Sequence, residues 1–402
     1  MAHTHHDHAH QADHYVLPAE IWTRGRNGFA FVALIGWAAT LAGFVLDRKE
    51  FFPSYLVAFL FFLTIALGAA FFVMVQHLTG SAWSVTLRRL MESLMRSLPI
   101  FVVLFLPVAF GIHDLYHWSH AEAAQDPIIA QKLSYLNEKW FLIRNFGALI
   151  VLSFFATRLW KQSRQQDESG SLAHTFAAEK WSAPGVIVLF LGGSVLAFDL
   201  IMSLDPHWFS TMFGIIFLSG GAVGFMATLI IASLALRSSG YLKHTINDEH
   251  YHDMGKWLFA LTVFWAYVSF SQYMLIWYGN LPEEILWFKH RLEGSWAAVA
   301  GLLVVGHFLA PFFTLMPRAM KRKRGVLGFF SGWLLLMHFM DLYWQVMPVF
   351  HEHGFAFSWV TVAALAAVGG SMGLAFWAGF REKPLIPVGD PRLKQALAFH
   401  NV

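Results

Sequence analysis

Charged residues divide this 402-residue chain into ten apolar runs, near 28–46, 53–75, 97–112, 140–157, 183–204, 209–236, 257–278, 295–316, 326–347 and 357–380. About 20 apolar residues cross roughly 30 Å of hydrocarbon as a helix, and a helix satisfies its own backbone where water is absent. Only 13% of the residues are charged, about half the share of a soluble domain, so lipid is the solvent for such a surface. Many of the 17 tryptophans fall near run ends, where interfacial belts sit. The expected fold class is an all-α integral membrane protein of about ten transmembrane helices, spanning residues 28–380 and surrounded by membrane lipid.

Charge and cysteine content narrow the chemistry. The formal net charge is +3 and the basic residues sit in loops, so no nucleic-acid surface is expected. The chain has no cysteine, which excludes disulfides, cysteine-ligated iron–sulfur clusters and c-type haem attachment. Electron chemistry would then need a bound quinone, a haem held by histidine, or a partner subunit. The stretch 1–27 lacks the apolar core of a cleavable signal and opens with six histidines, His3, His5, His6, His8, His10 and His14. It is expected to be a solvated tail, with metal scavenging as the sharper alternative.

Ten crossings return both ends to one side. Of the 28 Lys and Arg, only Arg48, Lys49, Lys132, Lys139, Arg144, Lys289 and Arg291 fall in the alternate set of segments. The rest, including the KRKR run Lys321–Arg324 and the 381–402 tail, lie in the set that holds the termini. That alternation is the positive-inside signature, so both termini are expected in the cytoplasm. The KRKR run reads either as a stop signal between runs eight and nine, the expected role, or as an anionic-lipid site. The opposite loops are rich in histidine and carboxylate, such as His113, His117, His120, Asp205, His207, His351 and His353. They suit proton handling, partner docking or plain solvation.

A short repeat organises the runs. Run five ends in FDLIMSLDP (Phe198–Pro206) and run nine in MDLYWQVMP (Met340–Pro348). An offset of four runs keeps the two copies in one orientation, as parallel repeats require. The expected layout is two four-helix bundles, runs two to five (about 53–204) and six to nine (about 209–347), flanked by runs one and ten.

Ionisable residues inside the runs are few. An aspartate at a helix centre costs about 2.5–3.5 kcal/mol, so each is a functional candidate. Asp199 and Asp341 lie in the outer halves of runs five and nine, His307 and His338 near the middles of eight and nine, and His77 ends run two beside Gln76. His307 and His338 are at depths agreeing within roughly 5 Å, and His338 and Asp341 share a helix face. Asp199, His307, His338 and Asp341 are therefore proton-path candidates. The alternative is a set of interhelical contacts worth about 0.6 kcal/mol each. A bis-histidine haem b is the other use of the imidazoles. Run seven is polar along its middle, where Tyr267, Gln272 and Tyr273 suit a quinone carbonyl or a water chain. Gly192, Gly193, Gly220, Gly221 and Gly224 read as packing features. Pro206, Pro282, Pro317 and Pro348 stand at run ends, unlike the midplane breaks of a proton-coupled secondary transporter.

The runs SQYMLIWYGNLPEE (Ser271–Glu284), FKHRLEGSW (Phe288–Trp296) and SLDPHWFSTMFG (Ser203–Gly214) resemble the membrane subunits of bacterial alternative complex III, a quinol:electron-acceptor oxidoreductase. The pattern looks most like its F-type subunit, a relative of the C-type subunit and of NrfD/polysulfide-reductase membrane anchors. The resemblance implies a multi-pass subunit of the bacterial cytoplasmic (inner) membrane. It implies partner subunits, namely a C-type membrane subunit, an iron–sulfur subunit and haem-c subunits, which carry the haem c and iron–sulfur clusters. A terminal oxidase is a further possible partner. This chain would bind no redox cofactor itself and have no catalytic residue, serving as scaffold and proton path, with quinol nearby. An NrfD-type subunit that itself binds quinol is the alternative.

Overall fold

The computed structural model describes residues 15–400, so the histidines of the N-terminal tail lie outside the described residues. Ten helices are long and apolar enough to cross a membrane. In order these spans are Ala19–Leu46, Arg48–Leu78, Val85–Phe110, Glu138–Ser169, Ala173–Leu204, Phe213–Ser238, Asp248–Gly279, Trp296–Leu315, Arg324–Val349 and Trp359–Ala378. Among the described residues there is no strand, only one isolated bridge between Val16 and Pro384. Polar caps set several boundaries: Asn137 accepts from Trp140 N–H ahead of span four, and Asn247 forms a capping box with His250 ahead of span seven. Gly170, at φ +64°, closes span four, where left-handed backbone suits a residue with no Cβ.

The spans pack as two rings of four. Spans two, three, four and five close one ring, and six, seven, eight and nine close the other. The rings meet where span two lies along span six, with span five against six and span nine against two on either side. The correspondence of two with six and five with nine is that of a parallel repeat. Spans one and ten pack on each other and on span two. At the central seam, a Cβ on Gly221 would sit 2.6 Å from the Thr64 carbonyl, and one on Gly68 the same distance from the Gly221 carbonyl. The two backbones are in contact, which only glycine allows.

Span three begins well before its apolar run. Val85–Met95, amphipathic in sequence, is buried along its whole length rather than lying on an interface. Its charges are neutralised internally: Arg88 pairs with Asp390, and Arg89 pairs with Glu92 at 3.0 Å and Asp167 at 2.5 Å. Asp167 projects from span four, whose 32 residues reach about 48 Å and overrun the hydrocarbon. The C-terminal segment folds back over this end. Leu385 N–H donates to Tyr15 O at 2.6 Å, Gly389 N–H to Asp167 at 3.2 Å, and Asn247 Nδ2 to Phe399 O at 3.0 Å. Residues 384–399 thus form a strap touching both rings.

The KRKR turn is likewise used internally. Lys321 is buried and donates to the Leu315 and Met316 carbonyls at 2.6 and 2.7 Å, while Arg322 pairs with Glu249 and Arg324 with Asp248. Burial pushes the Lys321 ammonium below its ordinary value.

Span eight departs from the regular helix expected of it. Leu303–Leu309 is π-wound, with Ala310 N–H donating to Val305 O, and Pro311 follows directly. Proline has no N–H for the carbonyl four residues back. Pro206, Pro282, Pro317 and Pro348 do stand at span ends, but Pro53, Pro184 and Pro311 lie within spans two, five and eight as well.

Candidate functional site

The core of the second ring gathers three of the four proton-path candidates. Trp265, from span seven, joins them. Its ring lies flat on the His307 imidazole, centroids 3.7 Å apart and planes 22° apart, and its Nε1 donates to Asp341 Oδ2 at 3.1 Å. His338, one turn before Asp341, meets Thr64 Oγ1 of span two at 2.9 Å through Nε2. Gly220 makes room for this cluster: a Cβ there would lie 3.1 Å from His338 Nδ1 and 3.6 Å from Asp341 Oδ2. His307, His338 and Asp341 are all buried. Both nitrogens of His307 and Nδ1 of His338 have no hydrogen-bond partner among the described residues. Buried polar atoms of this kind are ordinarily satisfied by water or a ligand.

Asp199 stands apart, in the first ring. Arg144 grips its carboxylate with Nε and Nη2 at 2.8 and 3.0 Å, and Asn145 Nδ2 adds a third donor at 3.0 Å. Arg144 also lies over the Tyr135 ring at 3.7 Å. Burial and the adjacent Asp199 carboxylate push the Tyr135 phenol up to about 12. Sequence position placed Arg144 among outer-loop charges. In the fold it enters the ring six residues into span four, where its long side chain reaches Asp199. Asp341, the counterpart of Asp199 in the repeat, has no ion pair among the described residues.

A cavity of about 710 Å³ opens beside Asp341, between spans seven and eight. Its walls are mostly aromatic and aliphatic, including Phe213, Phe270, Phe288 and Phe308. The polar groups that reach it are few: Asp341, Gln345, Gln272, Ser269, and the Trp265 and Tyr273 rings. Gln345 Oε1 and Ser269 Oγ are buried without partners. Gln272 accepts from Ser210 Oγ at 2.8 Å, Tyr273 packs edge-on to Phe288, and Tyr267, 66% exposed, stands at the mouth. An apolar cavity with a few convergent polar groups is the usual form of a small-molecule site. Neither His307 nor His338 lines it, so cavity and histidines do not combine into a bis-imidazole haem pocket.

Outside the spans, the short helix Pro282–Leu292 closes the end of the cavity on the face opposite the termini. Its Arg291 is buried, stacks 3.9 Å from the Trp287 ring centre and donates to the Trp287 and Gln345 carbonyls at 3.0 and 2.8 Å. Burial pushes the guanidinium down to about 9. The histidines of the loops on the face opposite the termini pair locally, His207 with Asp126 at 2.7 Å and His113 with Glu138 at 3.2 Å. Among the described residues no group of three or more His, Asp or Glu comes together to hold a metal. His77 is buried at the opposite end of the molecule, with neither nitrogen bonded.

Three parts of this site escape a reading of the sequence. Trp265 is one aromatic among many, and its role depends on span eight bringing His307 beneath it. Thr64 lies in a different ring from His338. Arg144 carries a usable signal, since its distance from the start of span four matches that of Asp199 from the end of span five. Comparison with protein-family models and with curated proteins finds no match for this chain.

Proposed function

We propose that this chain is a membrane subunit of a quinol-oxidising respiratory complex of the alternative complex III type, without a redox centre of its own. In this reading it scaffolds its partners and carries a protonatable centre, Asp341 with His338 and His307, in the second ring. The observation that supports it most is the asymmetry of the repeat. Asp199 is neutralised by a guanidinium, whereas Asp341 keeps only uncharged partners and faces a cavity. A carboxylate in that setting exchanges a proton more readily than one locked in an ion pair. The resemblance of Ser203–Gly214, Ser271–Glu284 and Phe288–Trp296 to that family's membrane subunits supports the choice of complex.

The test has two parts. Affinity capture of the tagged chain from its native membrane should bring down haem-c and iron–sulfur subunits; capture of the chain alone overturns the assignment. In the assembled complex, Asp341→Asn should lower the proton-to-electron ratio, and an unchanged ratio makes Asp341 structural. A second reading rests on the cavity: its volume, apolar walls and the unpartnered Gln345 Oε1 and Ser269 Oγ suit a quinol head group. A quinone analogue that shows no saturable binding to the isolated chain removes that reading.

A further inference from the structure

The KRKR turn satisfies most of its charge inside the chain, but a different set of guanidinium groups does not. Arg89, Arg96 and Arg164 surround the indole of Trp160, 5.2, 5.4 and 5.7 Å from its ring centre. Three carboxylates stand near the three, and one of them, Glu168, is shared with Lys383 at 3.9 Å. Glu92 and Asp167 both accept from the buried Arg89, at 3.0 and 2.5 Å. Arg164 is left 3.7 Å from Asp167, and its Nη1 is buried without a hydrogen-bond partner among the described residues. Arg96 has one polar contact among the described residues, the Ala375 carbonyl at 3.2 Å, and no ion pair.

Arg96 turns this charge toward lipid, while Arg164, 13% exposed, stands behind it. Arg96 shares a helical stripe of span three with Pro99, Val103, Leu106 and Phe110, of which Val103 is 61% and Phe110 80% exposed. Ala375 lies one turn from the end of span ten, which places the cluster at the membrane face that carries the termini. Tryptophan favours that depth. A guanidinium presents a planar fork that matches a phosphate, and an indole beneath holds the fork in position.

We propose that Arg96 and Arg164, backed by Trp160, hold the phosphate of an anionic phospholipid in the crevice between spans three, four and ten. The excess of cation over carboxylate at the site selects a net-negative head group over a zwitterionic one.

Native mass spectrometry of the full chain, taken from vesicles of equal phosphatidylglycerol and phosphatidylcholine, tests this. The wild-type chain should retain phosphatidylglycerol over phosphatidylcholine by about tenfold. The pair R96Q/R164Q should lose that preference, while R322Q/K323Q should keep it. Equal retention of the two lipids by the wild type, or full retention by R96Q/R164Q, overturns the proposal. Displacement of the lipid by millimolar inorganic phosphate reassigns the site to free phosphate and also overturns it. The wild-type comparison needs no substitution, so it decides the matter even where R96Q/R164Q fails to fold.

Discussion

Trp265 donates its indole N–H to Asp341 across 3.1 Å, while the matching carboxylate of the other ring, Asp199, is clamped by a guanidinium. The two aspartates should therefore fail differently. Asp199→Asn leaves Arg144 without its counter-ion and should cost on the order of 1–3 kcal/mol, reduced from the fully buried case because Arg144 is 17% exposed. Asp341→Asn keeps an acceptor for Trp265 and should leave the thermal midpoint nearly unchanged. Thermal unfolding in detergent of both variants measures the contrast. Equal destabilisation would mean that Asp341 is also a structural residue.

The seam between the rings should be the least tolerant place for added volume. Gly221→Ala pushes a methyl against the Thr64 backbone carbonyl, which cannot move alone. Overpacking of this kind costs about 1–3 kcal/mol. Gly224→Ala meets the His338 ring at 2.7 Å and should also disturb its bond to Thr64. Gly301→Ala, with open space around it, is the control, and melting curves of the three should rank in that order.

The strap gives a pH dependence. Burial pushes the Asp390 carboxyl up, but Arg88 and Arg392 outweigh it and hold the group below the usual aspartate value of 3.8. A depressed carboxylate stabilises above its unfolded value and loses that contribution as pH falls through the folded one. Amide exchange in Leu393–Leu397 should stay slow at neutral and mildly acidic pH and quicken only below the ordinary aspartate range. Asp390→Asn should quicken it at pH 7 by about tenfold or more; unchanged exchange would show that the Tyr15 and Asn247 contacts hold the strap by themselves.

The cavity can be filled without disturbing the fold. Gly301 lines it, and no atom stands within 4 Å of the position a Cβ would take there, so Gly301→Phe should occupy the mouth. Binding of a quinone analogue should weaken by about tenfold or more, with little change in thermal midpoint. Unaltered affinity would place the analogue elsewhere.

Much of the architecture is readable because lipid imposes one rule on every span. Apolar run length locates ten helices, and the Asp-Leu repeat at Asp199 and Asp341 anticipates two rings. The site is less legible, since its chemistry depends on partners distant in sequence. Asp199 and Asp341 look alike on the line of residues. They differ only because Arg144 reaches one, and Trp265 with an open cavity faces the other. The amphipathic pattern of Val85–Met95 suits either an extension of span three or an interfacial segment, and only its partners decide: its polar face meets Asp167 and Asp390, so it continues the span.

The π-wound stretch of span eight has a consequence for how that helix tolerates change. Winding Leu303–Leu309 at more residues per turn sets the two halves of the span out of phase, by about 100° for each residue accommodated. Deleting one residue at the exposed Val304 or Val305 would let the helix rewind to ordinary pitch and still cross the bilayer. His307 would then turn away from Trp265. Span length and imidazole bearing are thus set independently in this helix, and a one-residue deletion separates them.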